Sequence, residues 1–208
     1  MSDFFKALLF PQDLHLRGSD PGPFSDYHKY KAHLQREFRK KCVYCREADG
    51  VKGAAAFGVD HFQPKSSSPS PGAWDNLFYA CNVCNTWKGT TKSTSERFLP
   101  NPCSHVMSKH LQYQKDDIES YTRHGAWLAE LVHLSQRRSY RRFLLSTLAL
   151  YLSARSEILQ AISELEIRLT AAGGADPEPL REHQESLQDL EQVNSNIERL
   201  TGEPINPK

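Results

Sequence analysis

Two Cys-x-x-Cys pairs, Cys42–Cys45 and Cys81–Cys84, enclose the segment Val59-Asp60-His61-Phe62-Gln63-Pro64-Lys65-Ser66. A two-residue gap lets both sulfurs of a pair reach one ion, and four thiolates make the closed tetrahedral set that structural zinc prefers. The 35 residues between the pairs exceed a plain zinc ribbon, so something folded lies between them. A closed cage has no open position for water, and any catalysis falls to the residues it surrounds. Those are an Asp-His dipeptide, Asn76 ahead of a leucine, and Asn85-Thr86-Trp87-Lys88-Gly89 directly after the second pair. Nested in this way they describe a small metal-dependent phosphodiesterase site. Cys103 is left over and reads as a small buried apolar residue.

In order and spacing, Asp60-His61, Asp75-Asn76-Leu77 and Cys84-Asn85 through Lys88-Gly89 resemble the three landmarks of the HNH endonuclease family over about residues 42–92. The third landmark is asparagine, giving an HNN set, and the cysteine pairs match a zinc-bearing variant of the family. The resemblance implies a ββα-metal fold of two short strands and a helix, and DNA cleavage to a 5′-phosphate and a 3′-hydroxyl. His61, neutral near pH 7, is then the general base. Asp60 and Asn85 offer oxygens to one catalytic Mg²⁺ or Mn²⁺. Asn76 braces the loop and His61 without touching metal, and Lys88 neutralises a neighbouring phosphate. A zinc-dependent module that binds nucleic acid without cutting, and an adaptor that is catalytic only with a partner, remain as alternatives.

Three segments must position these groups. Residues 1–41 read as helical after an entry rich in proline and glycine, with Phe24, Tyr27, Tyr30, Leu34 and Phe38 at three- or four-residue spacing. Residues 42–100 form the nuclease domain, with Ser66 to Gly72 a Ser/Pro loop. Residues 101–208 read as a helical C-terminal region. Within it Leu144, Leu148, Tyr151, Arg155, Ile158, Ile162, Leu165 and Leu169 trace a heptad seam, and Leu180, Leu187, Leu190, Val193, Ile197 and Leu200 a second stripe. The breaker Ala172 to Pro177 between them predicts an antiparallel αα-hairpin over about 140–201. The expected class is α+β: an HNH domain with structural zinc, framed by helices and ending in that hairpin.

The 208 residues carry a net charge of +1, which hides an asymmetry of +8 over residues 1–155 and −7 over residues 156–208. The basic part suits a DNA partner. Arg137, Arg138, Arg141 and Arg142, with Lys109 and Arg123 upstream, read as a stripe tracking phosphates, joined by Lys65, Lys88 and Lys92. His105, His110, His124 and His133 lack metal-ligand spacing. The acidic hairpin reads as a protein contact surface, its register set by Arg155 and Asn194. The stretches Arg97 to Cys103 and Thr122 to Trp127 are similar to HNH proteins that accompany ATPases in bacterial anti-phage systems of the Septu and retron kinds. That resemblance implies a defence role and an ATPase-type partner on the C-terminal helices. A start without a basic segment or cleavage site, and free cysteines in pairs, place the chain in the cytoplasm with no membrane partner.

Overall fold

A computed structural model describes residues 3–94, 96–171 and 177–205. Prolines 11, 21 and 23 keep the N-terminal stretch irregular after α1 (Asp3–Lys6). Asp26 then accepts the His28 N–H at 3.0 Å and starts a single 3-10 turn, Tyr27–Tyr30, which runs into α2 (Lys31–Glu37). The helix expected before the first cysteine is therefore about three turns at most, with Phe24 outside it. Its apolar face holds: Tyr30, Leu34 and Phe38 are buried.

The short α3 (Asp49–Lys52) follows the first cysteine pair. Strand β1 (Phe57–His61) pairs antiparallel with β2 (Leu77–Cys81), setting Asp60 opposite Phe78 and His61 opposite Leu77. Helix α4 (Asn82–Lys88) starts at Cys81, whose sulfur accepts the Cys84 N–H at 3.4 Å, and packs on both strands. Two strands and a helix thus enclose the Asp-His pair, and α2 also packs on both strands.

The region after residue 101 departs from the all-helical expectation. Strands β3 (Leu111–Gln114) and β4 (Asp117–Ser120) form a tight hairpin turned at Lys115, which takes φ of +58°. Gln112 is buried because its amide receives the Phe10 N–H at 2.8 Å and donates to the Phe10 carbonyl at 2.9 Å, so it substitutes for a strand partner. Thr122 caps α5 (Arg123–Leu131) by accepting the Gly125 N–H. One hydrophobic core runs from Phe10 to Leu134 and draws on all three sequence segments.

The αα-hairpin is present. Helix α6 (Arg138–Ala171) packs along α7 (Pro177–Thr201), and the breaker Ala172–Asp176 lies outside the described residues. Leu144, Leu148, Ile162 and Leu165 are buried in the seam, and Arg155 Nε donates to Asn194 Oδ1 at 2.9 Å. The two polar interruptions meet each other. Leu180 and Leu187, expected on the inner stripe, are each 45% exposed. Pro179 and Ser186 are the more covered neighbours at those turns, so each leucine lies about one residue, some 100°, off the seam.

The base of the hairpin seats on the part that carries the cysteine pairs. A Cβ at Gly50 would stand 2.5 Å from the Arg199 carbonyl oxygen, backbone against backbone, and the buried Lys41 pairs with Glu203. Gly50→Ala must push α7 away from α3. An overpacked contact of this kind costs about 1–3 kcal/mol, and the melting temperature should fall by several degrees with earlier proteolysis in α7. An unchanged melting temperature would mean that this seat carries no stability.

Candidate functional site

The four cysteine sulfurs of the two knuckles lie within 4.8 Å of one another, and all four residues are buried. Metal–sulfur bonds of about 2.3 Å at tetrahedral angles require sulfurs about 3.8 Å apart. Cys45 Sγ and Cys81 Sγ are 3.9 Å apart. The cage therefore has the dimensions of a tetrahedral thiolate site, and its four cysteines are positioned to bind a metal ion. Hydrogen bonds from Cys42, Cys45 and Cys84 hold the Cys81 thiol far below its ordinary pKa, while burial pushes Cys45 well above. Four buried sulfurs shed their protons together only around a cation.

Arg137 sits on this cage. Its Nη1 donates to Cys45 Sγ at 3.2 Å and to Glu47 Oε2 at 3.2 Å, and its Nη2 donates to Cys84 Sγ at 3.2 Å. Burial opposes the guanidinium charge, but the surrounding thiolates outweigh it and raise the Arg137 pKa. Lys52 holds the other oxygen of the buried Glu47 at 2.8 Å. Arg137 was expected on a phosphate-tracking stripe, and the structure removes it from that role: thiolates in a dry site attract it more than water does.

The other three arginines do not make a stripe either. Arg141 is buried, its guanidinium 3.5 Å over the Tyr113 ring and its Nε on the Lys115 carbonyl. Arg138 pairs with Asp117, and Arg142 with Asp116 at 2.6 Å. The β3–β4 hairpin, illegible as a hairpin in the sequence, supplies the carboxylates that pair with Arg138 and Arg142 and the ring and carbonyl that hold Arg141.

At the end of β1 the alternation of a strand turns Asp60 and His61 to opposite faces. Asp60 is 3% exposed, and both its oxygens are engaged. Tyr44, the third residue of the first knuckle, donates its hydroxyl to Oδ2. Lys88, four residues past Cys84, donates to Oδ1 at 3.0 Å and to the His61 carbonyl at 2.7 Å. Lys88 is 1% exposed, so it does not wait in solvent for a phosphate as expected; it neutralises Asp60. Burial keeps Tyr44 protonated by raising its pKa, which fixes it as the donor.

His61 is half-buried, with the Tyr27 ring edge-on at 4.5 Å and Lys65 Nζ 4.2 Å over that ring. Burial, then Lys65, lower its pKa below 6.5 against the opposing pull of Asp60. The imidazole is thus neutral at pH 7, and among the described residues no group hydrogen-bonds it. Asn76 clamps the long loop: its Oδ1 accepts the Gln63 N–H at 2.8 Å, and its Nδ2 donates to the carbonyls of Gln63 and Pro71. Phe62 N–H on the Asn76 carbonyl at 2.9 Å ties the same loop to the end of β1. Asn85 is half-buried on α4 beside Lys88, and among the described residues its side chain has no hydrogen-bond partner. Lys65 and Lys92 are exposed.

The structure thus brings together Asp60, His61, Asn76, Lys88 and the cage, adds Tyr44 and Arg137, buries Arg141 against Tyr113, and leaves Arg138 and Arg142 paired with Asp117 and Asp116. Tyr44 had one sequence signal, its place inside a knuckle that must lie against the Asp-His segment. Cys103 is half-buried, and burial pushes its thiol up to about 11, as suits an unreactive packing residue.

Residues 42–91 match the family model for HNH endonuclease. No curated protein and no solved structure matches the chain.

A divalent ion on four thiolates leaves two negative charges, and Arg137 offsets one of them. Arg137→Gln should speed loss of the bound metal to a chelator, with outer-shell contacts of this kind worth about 10–100-fold. Arg138→Gln is the control and should release metal at the wild-type rate. Equal rates for Arg137→Gln would show that the guanidinium is a bystander.

Proposed function

We propose that this chain, whose residues 42–91 match the family model for HNH endonuclease, hydrolyses DNA phosphodiester bonds. The observation that carries this reading is the Asp60–His61 pair at the end of β1, with the carboxylate gripped and the neutral imidazole left free. His61 takes a proton from the attacking water. Asn76 holds the loop that follows His61, and Lys88 fixes the backbone at His61 and the charge at Asp60. Because Asp60 and His61 face opposite sides of the strand, the phosphodiester lies across the strand's end. The cage is assigned structural zinc on its sulfur spacing.

Asp60 and Asn85 form the donor set for a hard divalent cation, assigned as Mg²⁺ or Mn²⁺. Such ions take one or two carboxylate-type ligands and keep water and phosphate for the rest. Once bound, the ion supplies charge stabilisation at the phosphoryl oxygens and at the leaving 3′-oxygen. Lys65 and Lys92 are exposed for phosphate contact.

The finer reading is an effector nuclease of a bacterial anti-phage system, working in the cytoplasm with an ATPase-type partner on the C-terminal helices. Its support is the likeness of the flanking segments, the net −7 of residues 156–208, and Ile167, Leu180 and Leu187 left exposed on the hairpin. Among the described residues no helix is long and apolar enough to cross a membrane. One observation favours an alternative in which the chain alone binds without cutting. The Lys88 ammonium already sits on Oδ1 of Asp60, so it has to give way before that oxygen accepts a cation.

Supercoiled plasmid incubated with Mg²⁺ or Mn²⁺ tests the proposal. Wild type should nick or linearise it, and His61→Ala should lower the rate by at least 100-fold, in line with a lost general base, while keeping its cysteine-bound metal. Equal cleavage by His61→Ala would overturn the assignment. Cleavage that appears only with the co-expressed partner would select the adaptor reading.

A further inference from the structure

Arg137, Arg141, Arg138 and Arg142 are spent on thiolates, a ring and two aspartates, yet a phosphodiester substrate needs cations that are free. Among the described residues Lys92, Arg97, Lys109 and Arg123 have no carboxylate within 4.0 Å, although all four lie in the basic part of the chain. Arg97 and Arg123 meet at one aromatic cluster, and Lys92 and Lys109 lie close to its members in the chain. The Phe98 ring is stacked between His124 at 3.7 Å and His105 at 4.9 Å, and His110 meets His105 at 5.4 Å. Arg97 lies 4.4 Å over the Trp127 ring, and Arg123 Nε reaches His124 Nε2 at 3.3 Å. Both guanidinium groups are exposed on half-buried aromatic supports. Glu96 is the one carboxylate beside them in sequence, and it forms no ion pair among the described residues.

This surface is tied to the proposed catalytic centre from two sides. Lys92 lies four residues past Lys88, the residue that holds the His61 carbonyl. Four residues span at most about 14 Å, which is about four base steps at 3.4 Å per strand. On the other side Asn101 lines a cleft of about 300 Å³ together with Gln63 and Asn76, and its backbone exchanges hydrogen bonds with His105. Unpaired guanidiniums pre-set on aromatic rings, next to a phosphate-cutting site, match the chemistry of a nucleic-acid backbone.

We propose that the surface built from Arg97 over Trp127 and Arg123 against His124, joined through Phe98 and with Lys92 and Lys109 near it in the chain, binds the DNA backbone flanking the scissile phosphate. The inference rests on the nuclease reading and relocates the DNA track from α6 to the segments around α5. Contacts here set affinity and register without reading sequence, and they are screened by salt.

Fluorescence anisotropy of a labelled DNA duplex, with no divalent ion and on a His61→Ala background, separates binding from hydrolysis. Arg97→Gln/Arg123→Gln should weaken binding by about tenfold or more and reduce the slope of log K against log salt by about two. The second pair, Lys92→Gln/Lys109→Gln, should shift the same slope in the same direction, and Arg138→Gln/Arg142→Gln should leave it unchanged. Wild-type slope and affinity in both of the first two pairs would overturn the proposal, as would a loss confined to Arg138→Gln/Arg142→Gln. A chain that binds through this surface and never cuts would contradict the hydrolysis reading alone.

Discussion

The carboxylate of Asp60 is buried at the end of β1, where a charge stripped of its partner costs about 3–5 kcal/mol. Its two oxygens are satisfied by groups from the two halves of the cysteine cage: Tyr44 from within the first knuckle and Lys88 from the helix that the second knuckle starts. Both donors depend on the two knuckles staying together, which the Val43 N–H on the Tyr79 carbonyl and four sulfurs placed to share one ion provide. The cage and the candidate catalytic carboxylate are therefore one mechanical unit. Metal at the cysteines contributes to folding directly, as such sites do when their ligands are assembled only in the native state.

Everything outside this unit acts on it through few contacts. The N-terminal segment covers the sheet with Tyr30, Leu34 and Phe38 and brings Tyr27 to His61. The turn ahead of α6 delivers Arg137 to the sulfurs, so the start of the long helix is anchored at the metal. The far end of α7 returns to the same region at Gly50 and Lys41. A partner that bends the hairpin would pull on both anchors, and both lead to the cage.

Much of this organisation was legible in the chain. Cysteine spacing is a local constraint, so the cage could be read directly, and the order of Asp60, His61, Asn76 and Asn85 around it pointed to the ββα unit. The seam of α6 followed from its heptads, down to the meeting of Arg155 with Asn194. What escaped reading depends on contacts distant in sequence. The arginine cluster of α6 looked like a solvent-facing stripe because nothing near it shows that Asp116 and Asp117 turn back onto it, or that thiolates 53 and 92 residues away claim Arg137. Lys88 looked like a phosphate ligand because its type suits one, and only the packing of α4 on β1 reveals its carboxylate. Strands β3 and β4 were missed because Gln112, polar by type, is buried through Phe10, more than a hundred residues away.

The most direct test of the linked unit is the Mn²⁺ dependence of plasmid cleavage by Tyr44→Phe, which deletes one hydroxyl and leaves the knuckle intact. If the first knuckle orients Asp60 through that hydroxyl, half-maximal cleavage should need about 10–100 times more Mn²⁺, with four-cysteine metal content unchanged. A Tyr44→Phe protein that cleaves at wild-type Mn²⁺ concentrations would contradict the account.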